Sequence, residues 1–339
     1  MRTIDWIDGA VVIVDQTRLP GETVLLRLET VEELVDAIRR LAVRGAPALG
    51  VAGALGVALA ARQHSGEEAR NRAVHLLRTA RPTAVNLARG AQRAAALLPS
   101  FDAVLREALR IRDEEIASSA EMARRGADLV RRLCGPGARL LTHCNTGGLA
   151  TVVEGTALAV VFELYRRGDL GGVIASETRP LLQGARLTTW ELARAGVPHR
   201  LAVDSAGPFL MARGEVDAVI LGADRICANG DVVNKIGTYA HALGARAAGI
   251  PFICVAPEST VDLATASGAD VEIEDRGAAE VAGAAAPAGT AAVNPAFDVT
   301  PAGLVTAVVT DERVFSGRAD GADGPAVRGD RLDPAPDPA

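Results

Sequence analysis

The sequence predicts an α/β protein. A small, mostly helical amino-terminal domain with a minor β element spans 1–118, a doubly wound parallel-sheet domain spans 119–316, and a disordered tail follows over 317–339. Three observations carry this reading. Helical periodicity dominates from residue 46 to about residue 133. After "CGPG" at 134–137, short apolar runs alternate with helical segments, the pattern of a parallel sheet with helices on both faces. The last stretch, "SGRADGADGPAVRGDRLDPAPDPA", is polar and rich in Gly, Pro and Asp, a composition with too little apolar surface to order itself.

The elements follow in order. "AVVIVDQ", a turn at "LPGE" and then "TVLLRLE" read as a small antiparallel sheet. In "TVEELVDAIRRLAV", Thr30 is placed as an N-cap with Glu33 three residues later, a capping box. Helices are expected through "APALGVAGALGVALAARQ", "EEARNRAVHLLRTA" and "VLREALRIRDEEIASSAEMARRGADLVRRL". Beyond 137 the strands are "RLLTHC", "GGVIAS", "HRLAVD", "VDAVILG", "IPFICVA" and "LVTAVVT", with helices at 185–195, 205–213 and 234–249.

With 339 residues the chain is long enough for two domains, each with its own core. Aromatic residues are only 3%, so that core is built from Ala, Val, Leu and Ile. A net charge of −6 argues against a nucleic-acid partner held by bulk electrostatics. The amino terminus has no signal-peptide layout, and no uninterrupted apolar run reaches the ~18 residues that suggest a membrane span. The four cysteines are widely spaced with no Cys-x-x-Cys pair, which disfavours structural zinc and a disulfide framework. The expectation is a cytoplasmic protein.

Ligands of such sheets gather at the carboxyl ends of the strands. Reading those ends gives Cys144, Glu177, Asp204, Asp224 and "APE" at 256–258. "GVAGALG" (50–56) lies inside a helical run, so its glycines fit close helix approach and not a dinucleotide fingerprint, which needs a preceding strand. In "VRGAPA", Arg44 stands before Gly45 and Ala46, with Pro47 suited to a first helical turn; this is either a phosphate site at a helix start or an interhelix turn. Arg81, in the Pro-broken "RPTAVNL", carries the same two readings. "THCNTGGLAT" puts Cys144 at a strand end before a Gly-rich loop and an expected helix start, whose amides would favour a thiolate. His143 must point to the opposite face, so the two are no dyad.

Lys235 is the only lysine of the chain. It sits in "GADRICANGDVVNKIGTY", where "AVIL" leads to Asp224, "ANGD" is a tight turn and a helix is expected from about Asn234. A lysine in that first turn would oppose the helix dipole, which points to contact with an anion.

At this point the chain resembles the methylthioribose-1-phosphate isomerases, aldose–ketose isomerases of methionine salvage. The resemblance rests on "RGAPALG", "RPTAVNL", "THCNTGGLAT", "GTALAVV", "ETRPLLQGARLTTWEL", "GADRICANGDVVNKIGTY", "PFICVAPESTVD" and "NPAFDVTP", from about residue 6 to 313. It implies a homodimer with a helical amino-terminal domain and a Rossmann-like catalytic domain. It implies that Cys144 and Asp224 are catalytic, and that Arg44, Gly45, Ala46, Arg81, Gln183, Asn234 and Lys235 bind substrate. No metal and no cofactor are implied, and the partner is a small sugar phosphate, not nucleic acid or a membrane. Two small departures, "CNTGG" and the Ala-rich "GAAAPAGTAAV", do not touch the proposed pair.

The implied chemistry opens a furanose whose anomeric oxygen carries phosphate. An acid must protonate the ring oxygen, and Asp224 is the candidate if desolvation keeps it protonated; Arg225 would oppose this if it faced inward. Cys144 then acts as base through an enediol, or stabilises a direct hydride shift. The rival expectations are an isomerase of another pentose 1-phosphate (5-deoxyribose 1-phosphate or ribose 1,5-bisphosphate) and a non-catalytic regulatory subunit like those of translation initiation factor 2B.

Overall fold

The computed structural model describes residues 2–81, 84–282 and 286–316. The tail expectation over 317–339 lies outside the described residues. The chain divides into two compact units: one comprises residues up to Ser119 together with Thr146–Gly155, the other Ala120–Asn145 and the chain from Thr156 onward.

In the first unit, β1 (Ile4–Ile7), β2 (Ala10–Val14) and β3 (Leu25–Leu28) form an antiparallel sheet in that order. The two-strand expectation therefore gains β1, whose four residues pair from Ile4↔Ile13 to Ile7↔Ala10. Helix α1 (Val31–Arg39) opens with the expected capping box, Thr30 Oγ1 accepting from Glu33 N–H at 3.2 Å and Glu33 Oε2 accepting from Thr30 N–H at 3.1 Å. Such a cap is worth about 1 kcal/mol.

Helix α2 (Ala46–Gln63) is followed by α3 (Glu67–Arg78) and α4 (Val85–Ala95). By length and composition alone, α2 is apolar enough to cross a membrane, but 78% of it is buried within the protein, as befits a core helix apolar on every side. Leu34, Leu49, Leu55, Leu59, Leu77 and Leu87 are fully or almost fully buried in this core. Each contributes about 1.5–3 kcal/mol relative to exposure. The glycines of "GVAGALG" serve helix approach: a Cβ on Gly53 would lie 2.4 Å from the Leu87 carbonyl oxygen, and one on Gly90 only 2.0 Å from that of Gly50. Helix α4 begins inside "RPTAVNL", which the sequence read as loop.

Helix α5 runs from Phe101 to Cys134. The second unit is built on β4 (Ala138–Thr142), α6 (Ala157–Arg167), β5 (Leu170–Ser176), α7 (Thr189–Arg194), β6 (His199–Ala202), α8 (Ala206–Ala212) and β7 (Ala218–Leu221). There follow β8 (Arg225–Cys227), β9 (Val232–Lys235), α9 (Thr238–Ala248), β10 (Phe252–Val255), β11 (Val261–Asp262), β12 (Phe297–Thr300), β13 (Ala307–Val309) and β14 (Val314–Phe315). All six predicted strands are present. They are mutually parallel in the order β13-β10-β7-β4-β5-β6, with β14 antiparallel on the β13 edge.

Alternation along these strands divides the core in two. Leu140, Val173, Ile220, Ile253 and Val309 pack with α5, α6 and α7. Leu141, Ile174, Val219, Phe252 and Val308 pack with α8 and α9. Both faces are thus covered, which explains the near-continuous apolar runs. Helix α6 is not among the helices the sequence predicts.

A second sheet, order β11-β8-β9-β12, was also missed. Here the expected helix at 234–249 is corrected. Residues Val232–Lys235 form a strand because "ANGD" closes a β8–β9 hairpin and β9 then pairs antiparallel with β12, Phe297 opposite Lys235. The helix starts at Thr238, after Gly237 at φ +105° turns the chain.

Gly90→Ala is predicted to lower stability by about 1–3 kcal/mol through overpacking at the α2–α4 crossing. Gly21→Ala, whose Cβ makes only an ordinary 3.6 Å contact, should stay within about 0.5 kcal/mol. Urea denaturation of both variants checks this; equal effects would refute the steric account.

Candidate active site

The chain lays down β4, β5 and β6 to one side, then returns to place β7 on the other side of β4. Loops after β4 and β7 therefore diverge, which leaves a crevice at the carboxyl ends of these two neighbours. Cys144 follows β4 and Asp224 follows β7, so the sheet order itself brings the proposed pair to one edge.

Cys144 is half-buried and adopts φ +61°. Its N–H donates to Thr178 Oγ1 at 2.9 Å, and its carbonyl accepts from Thr188 Oγ1 at 2.6 Å. Next to it, Asn145 Nδ2 donates to Glu191 Oε2 at 2.6 Å and to Thr188 Oγ1 at 3.3 Å. Burial pushes the Cys254 thiol up to about 12 and the Cys134 thiol up to about 11, so both stay protonated. The helix start expected directly after Cys144 is corrected: Gly148–Ala150 is a single 3₁₀ turn, and α6 begins only at Ala157.

His143 turns to the other face, as strand alternation requires. Its Nε2 lies 2.8 Å from the Ile236 carbonyl, and its ring meets that of His241 edge-on at 5.0 Å. Burial lowers the pKa of His143 to about 4 and that of His241 to about 3, so both rings are neutral.

Asp224 lies in the loop beyond β7 and is exposed, so the apolar strand ahead of it, which ends at Leu221, does not by itself desolvate it. Arg225 turns to β11, its Nη1 donating to Asp262 Oδ2 and Thr265 Oγ1, each at 2.9 Å. Asp204 proves to be an anchor. Burial would raise its pKa, but the Ser176 hydroxyl and the Arg179 and Thr178 amides hold it below the usual carboxylate range.

Gln183 is buried just before a π-helical turn, Gly184–Thr188, and its Oε1 has no hydrogen-bond partner among the described residues. Asn234 is buried and donates to Thr238 Oγ1 at 2.9 Å. Lys235 closes a strand, not a first helical turn, which removes the dipole argument. Its Nζ donates to the Ala296 carbonyl at 2.8 Å and sits 4.7 Å from the Phe297 ring centre. Asp298, opposite Asn234 across β9–β12, accepts from Gly237 and Tyr239 amides; burial raises its pKa to about 6.

In the first unit, Arg44 Nε donates to Gln16 Oε1 at 3.1 Å, and Gln16 Nε2 donates to the Leu149 carbonyl at 2.7 Å. Gly45 takes φ +96° at the start of α2, and a Cβ there would lie 2.4 Å from the Ala150 carbonyl oxygen, so this turn admits only glycine. Ala46 begins α2, whose N-terminus no side chain caps, and Pro47 occupies its first turn as expected. Arg81 lies ahead of α4. Sequence reasoning passed over Thr178, Thr188, Glu191 and Asp298; buried side-chain partners of a loop backbone carry no periodic signal.

These features define an α/β protein with a polar, thiol-bearing candidate site at the switch point of a parallel sheet. The model of the initiation factor 2 subunit family matches residues 42–316, and the chain belongs to that family. A protein of Nocardia farcinica described as a probable bifunctional methylthioribose-1-phosphate isomerase/methylthioribulose-1-phosphate dehydratase is 53% identical over 333 residues; the match covers 94% of this chain and 60% of that protein's length. The 5-deoxyribose 1-phosphate isomerase of Moorella thermoacetica is 50% identical, with 92% of this chain and 93% of that one covered. Among solved structures, the 5-methylthioribose 1-phosphate isomerase of Pyrococcus horikoshii OT3 superposes with a TM-score of 0.86 at 40% identity, covering 93% of this chain and 92% of that one.

Stability should fall as pH drops from about 6.5. Below that pH the unfolded state protonates His143 and His241, whereas the folded rings resist down to about 4 and about 3. Each contributes a loss of up to about 1.4 kcal/mol per pH unit. Urea denaturation between pH 7 and 5 should show this slope, and His241→Leu should flatten it. An unchanged slope in the variant would count against the buried neutral ring.

Proposed function

We propose that this chain converts 5-methylthioribose 1-phosphate to 5-methylthioribulose 1-phosphate. The observation that carries this reading is the pairing of Cys144 and Asp224 beyond neighbouring parallel strands, in a chain 40% identical over 93% of its length to an enzyme solved under that substrate's name. The carboxy-terminal unit is Rossmann-like in its sheet and crossovers.

Asp224 protonates the ring oxygen and opens the furanose. Its carboxyl is exposed in the free chain, so the bound sugar itself must supply the desolvation that raises its pKa. Arg225, its neighbour, is engaged by Asp262. Hydrogen then moves from C2 to C1 within one molecule. Cys144 acts at that step, as base through an enediol or as stabiliser of a hydride shift. The conversion is redox-neutral, so it requires no external electron acceptor.

Substrate contacts are assigned to Arg44, Gly45, Ala46, Arg81, Gln183, Asn234 and Lys235. The unpaired Gln183 carbonyl suits a sugar hydroxyl, and the uncapped start of α2 beside Arg44 suits a phosphate. The Moorella thermoacetica relative supports a second reading, 5-deoxyribose 1-phosphate, which lacks only the methylthio group. The enzyme is proposed to be cytoplasmic and homodimeric. Support for a dimer comes from exposed Phe209, Tyr239 and Leu243 on the packed helices α8 and α9.

Purified protein should form ketose from 5-methylthioribose 1-phosphate. Cys144→Ala and Asp224→Asn should each lower kcat by about 10²-fold or more, with the fold retained. Lys235→Met should mainly raise KM, by about tenfold, through loss of a charge-assisted hydrogen bond. Turnover of only the 5-deoxy substrate would select the second reading. No turnover of either would leave a binding subunit. Phe209→Glu should shift the protein toward monomer in sedimentation experiments; an unaltered state would remove the α8–α9 face from the interface.

A further inference from the structure

We propose that Thr178 and Thr188 are positioning residues that clamp the two peptide groups of Cys144 and so aim its thiol; this rests on the reading of Cys144 as a reacting group. Cys144 lies at φ +61°, in the left-handed region, which strains a residue that carries a Cβ. Such a conformation persists only where its surroundings over-determine it.

The two threonines do so with opposite polarity. Thr178 Oγ1 donates its proton to the Ser176 carbonyl at 3.0 Å, which leaves a lone pair for the Cys144 N–H. Thr188 Oγ1 spends its proton on the Cys144 carbonyl, which leaves a lone pair facing Asn145 Nδ2. One hydroxyl therefore accepts ahead of the Cys144 Cα and the other donates behind it. A flipped peptide on either side would set donor against donor or acceptor against acceptor. Both threonines are fully buried, so water cannot stand in for them.

Each hydroxyl is itself held. Thr178 has its N–H bonded to Asp204 Oδ1 at 2.7 Å, at the end of β6. Thr188 ends the π-helical turn Gly184–Thr188, whose wider winding sets where its side chain arrives. That turn packs against the end of β5 at Gly184, where a Cβ would lie 1.7 Å from the Ser176 carbonyl oxygen and 2.8 Å from Thr178 Oγ1. The π turn and its glycine thus serve the geometry of Cys144.

The test uses the full chain with Thr188→Val, which keeps the shape and removes the hydroxyl, Thr188→Ser, which keeps the hydroxyl, and Thr178→Val as an independent version should Thr188→Val not fold. Kinetics with 5-methylthioribose 1-phosphate should show kcat lowered by about 10- to 100-fold in the valine variants with KM within about twofold. Thr188→Ser should recover most of the rate. Crystal structures of the valine variants should show Cys144 at negative φ. The proposal is overturned if a folded valine variant retains the left-handed φ, keeps wild-type kcat, or if serine fails to rescue. Wild-type protein that turns over no substrate would refute the functional reading alone, and the φ of Cys144 in the variants would still decide the clamp.

Discussion

Everything chemical in the second unit hangs from one feature of strand order, the return of the chain across β4 after β6. Had β7 been added beyond β6, Cys144 and Asp224 would leave the sheet three strands apart. Placed on the other side of β4, β7 delivers its loop beside that of β4, and the two loops part. A division of labour follows. The central strands β4 and β7 carry the proposed reacting groups. Ser176 at the end of β5 and Asp204 just beyond β6 hold Thr178 and through it the backbone of Cys144. The Asp204 carboxylate accepts three donors, which is why it stays ionised in spite of burial.

A second constraint is the scarcity of aromatic side chains, only 3% of the chain. Large rings cannot fill gaps between helices, so backbones must approach closely. Helix α2 is buried on nearly every side, and α4 crosses it with Gly90 against Gly50 and with Gly53 against Leu87. The same device recurs in the second unit, where Gly207 and Gly237 leave room for the rings of His241 and His143. Two neutral imidazoles fill the space under the Cys144 loop that another protein would give to Phe or Leu. The cost is a fold that acid weakens through these rings.

How much of this was legible in the sequence depended on whether an element announces itself locally. The six parallel strands did, because burial on both faces forces apolar runs. The capping box at Thr30 and the "ANGD" turn did, because they are local chemistry. The second sheet did not. Strands β11, β8, β9 and β12 are two to four residues long, and β11 and β12 find their partners far away in sequence, Val261 opposite Ile226 and Phe297 opposite Lys235. "VVNKIGTYAHALGARAAG" reads as one helix until β12 claims its first residues as a strand. Helix α4 was hidden by the proline ahead of it. In the site, the strand-end residues stood out, but their support did not. Thr178, Thr188 and Glu191 look like ordinary loop and helix residues until the fold turns them onto Cys144 and Asn145.

Lys235 shows how a sound question can rest on a mistaken local structure. Its isolation among arginines is real, but a helix dipole has no part in the explanation, since the residue closes a strand. What the structure offers is an ammonium held between a carbonyl and the face of a phenyl ring. A guanidinium on such a ring stacks flat, spreading its donors sideways. An ammonium touches the ring with one side, gives one N–H to Ala296, and keeps two donors for other acceptors. Asn234 precedes it, with its side chain on the opposite face of β9 and its amide already tied to Thr238. Asp298 lies across from Asn234, and the Lys235 charge acts to lower its pKa against the effect of burial. The hairpin end thus collects a fixed cation, a fixed amide and a carboxylate that feels the charge of the cation. A compact point charge satisfies that arrangement, and a planar fork does not, which is a sufficient reason for one lysine to stand where arginine serves everywhere else.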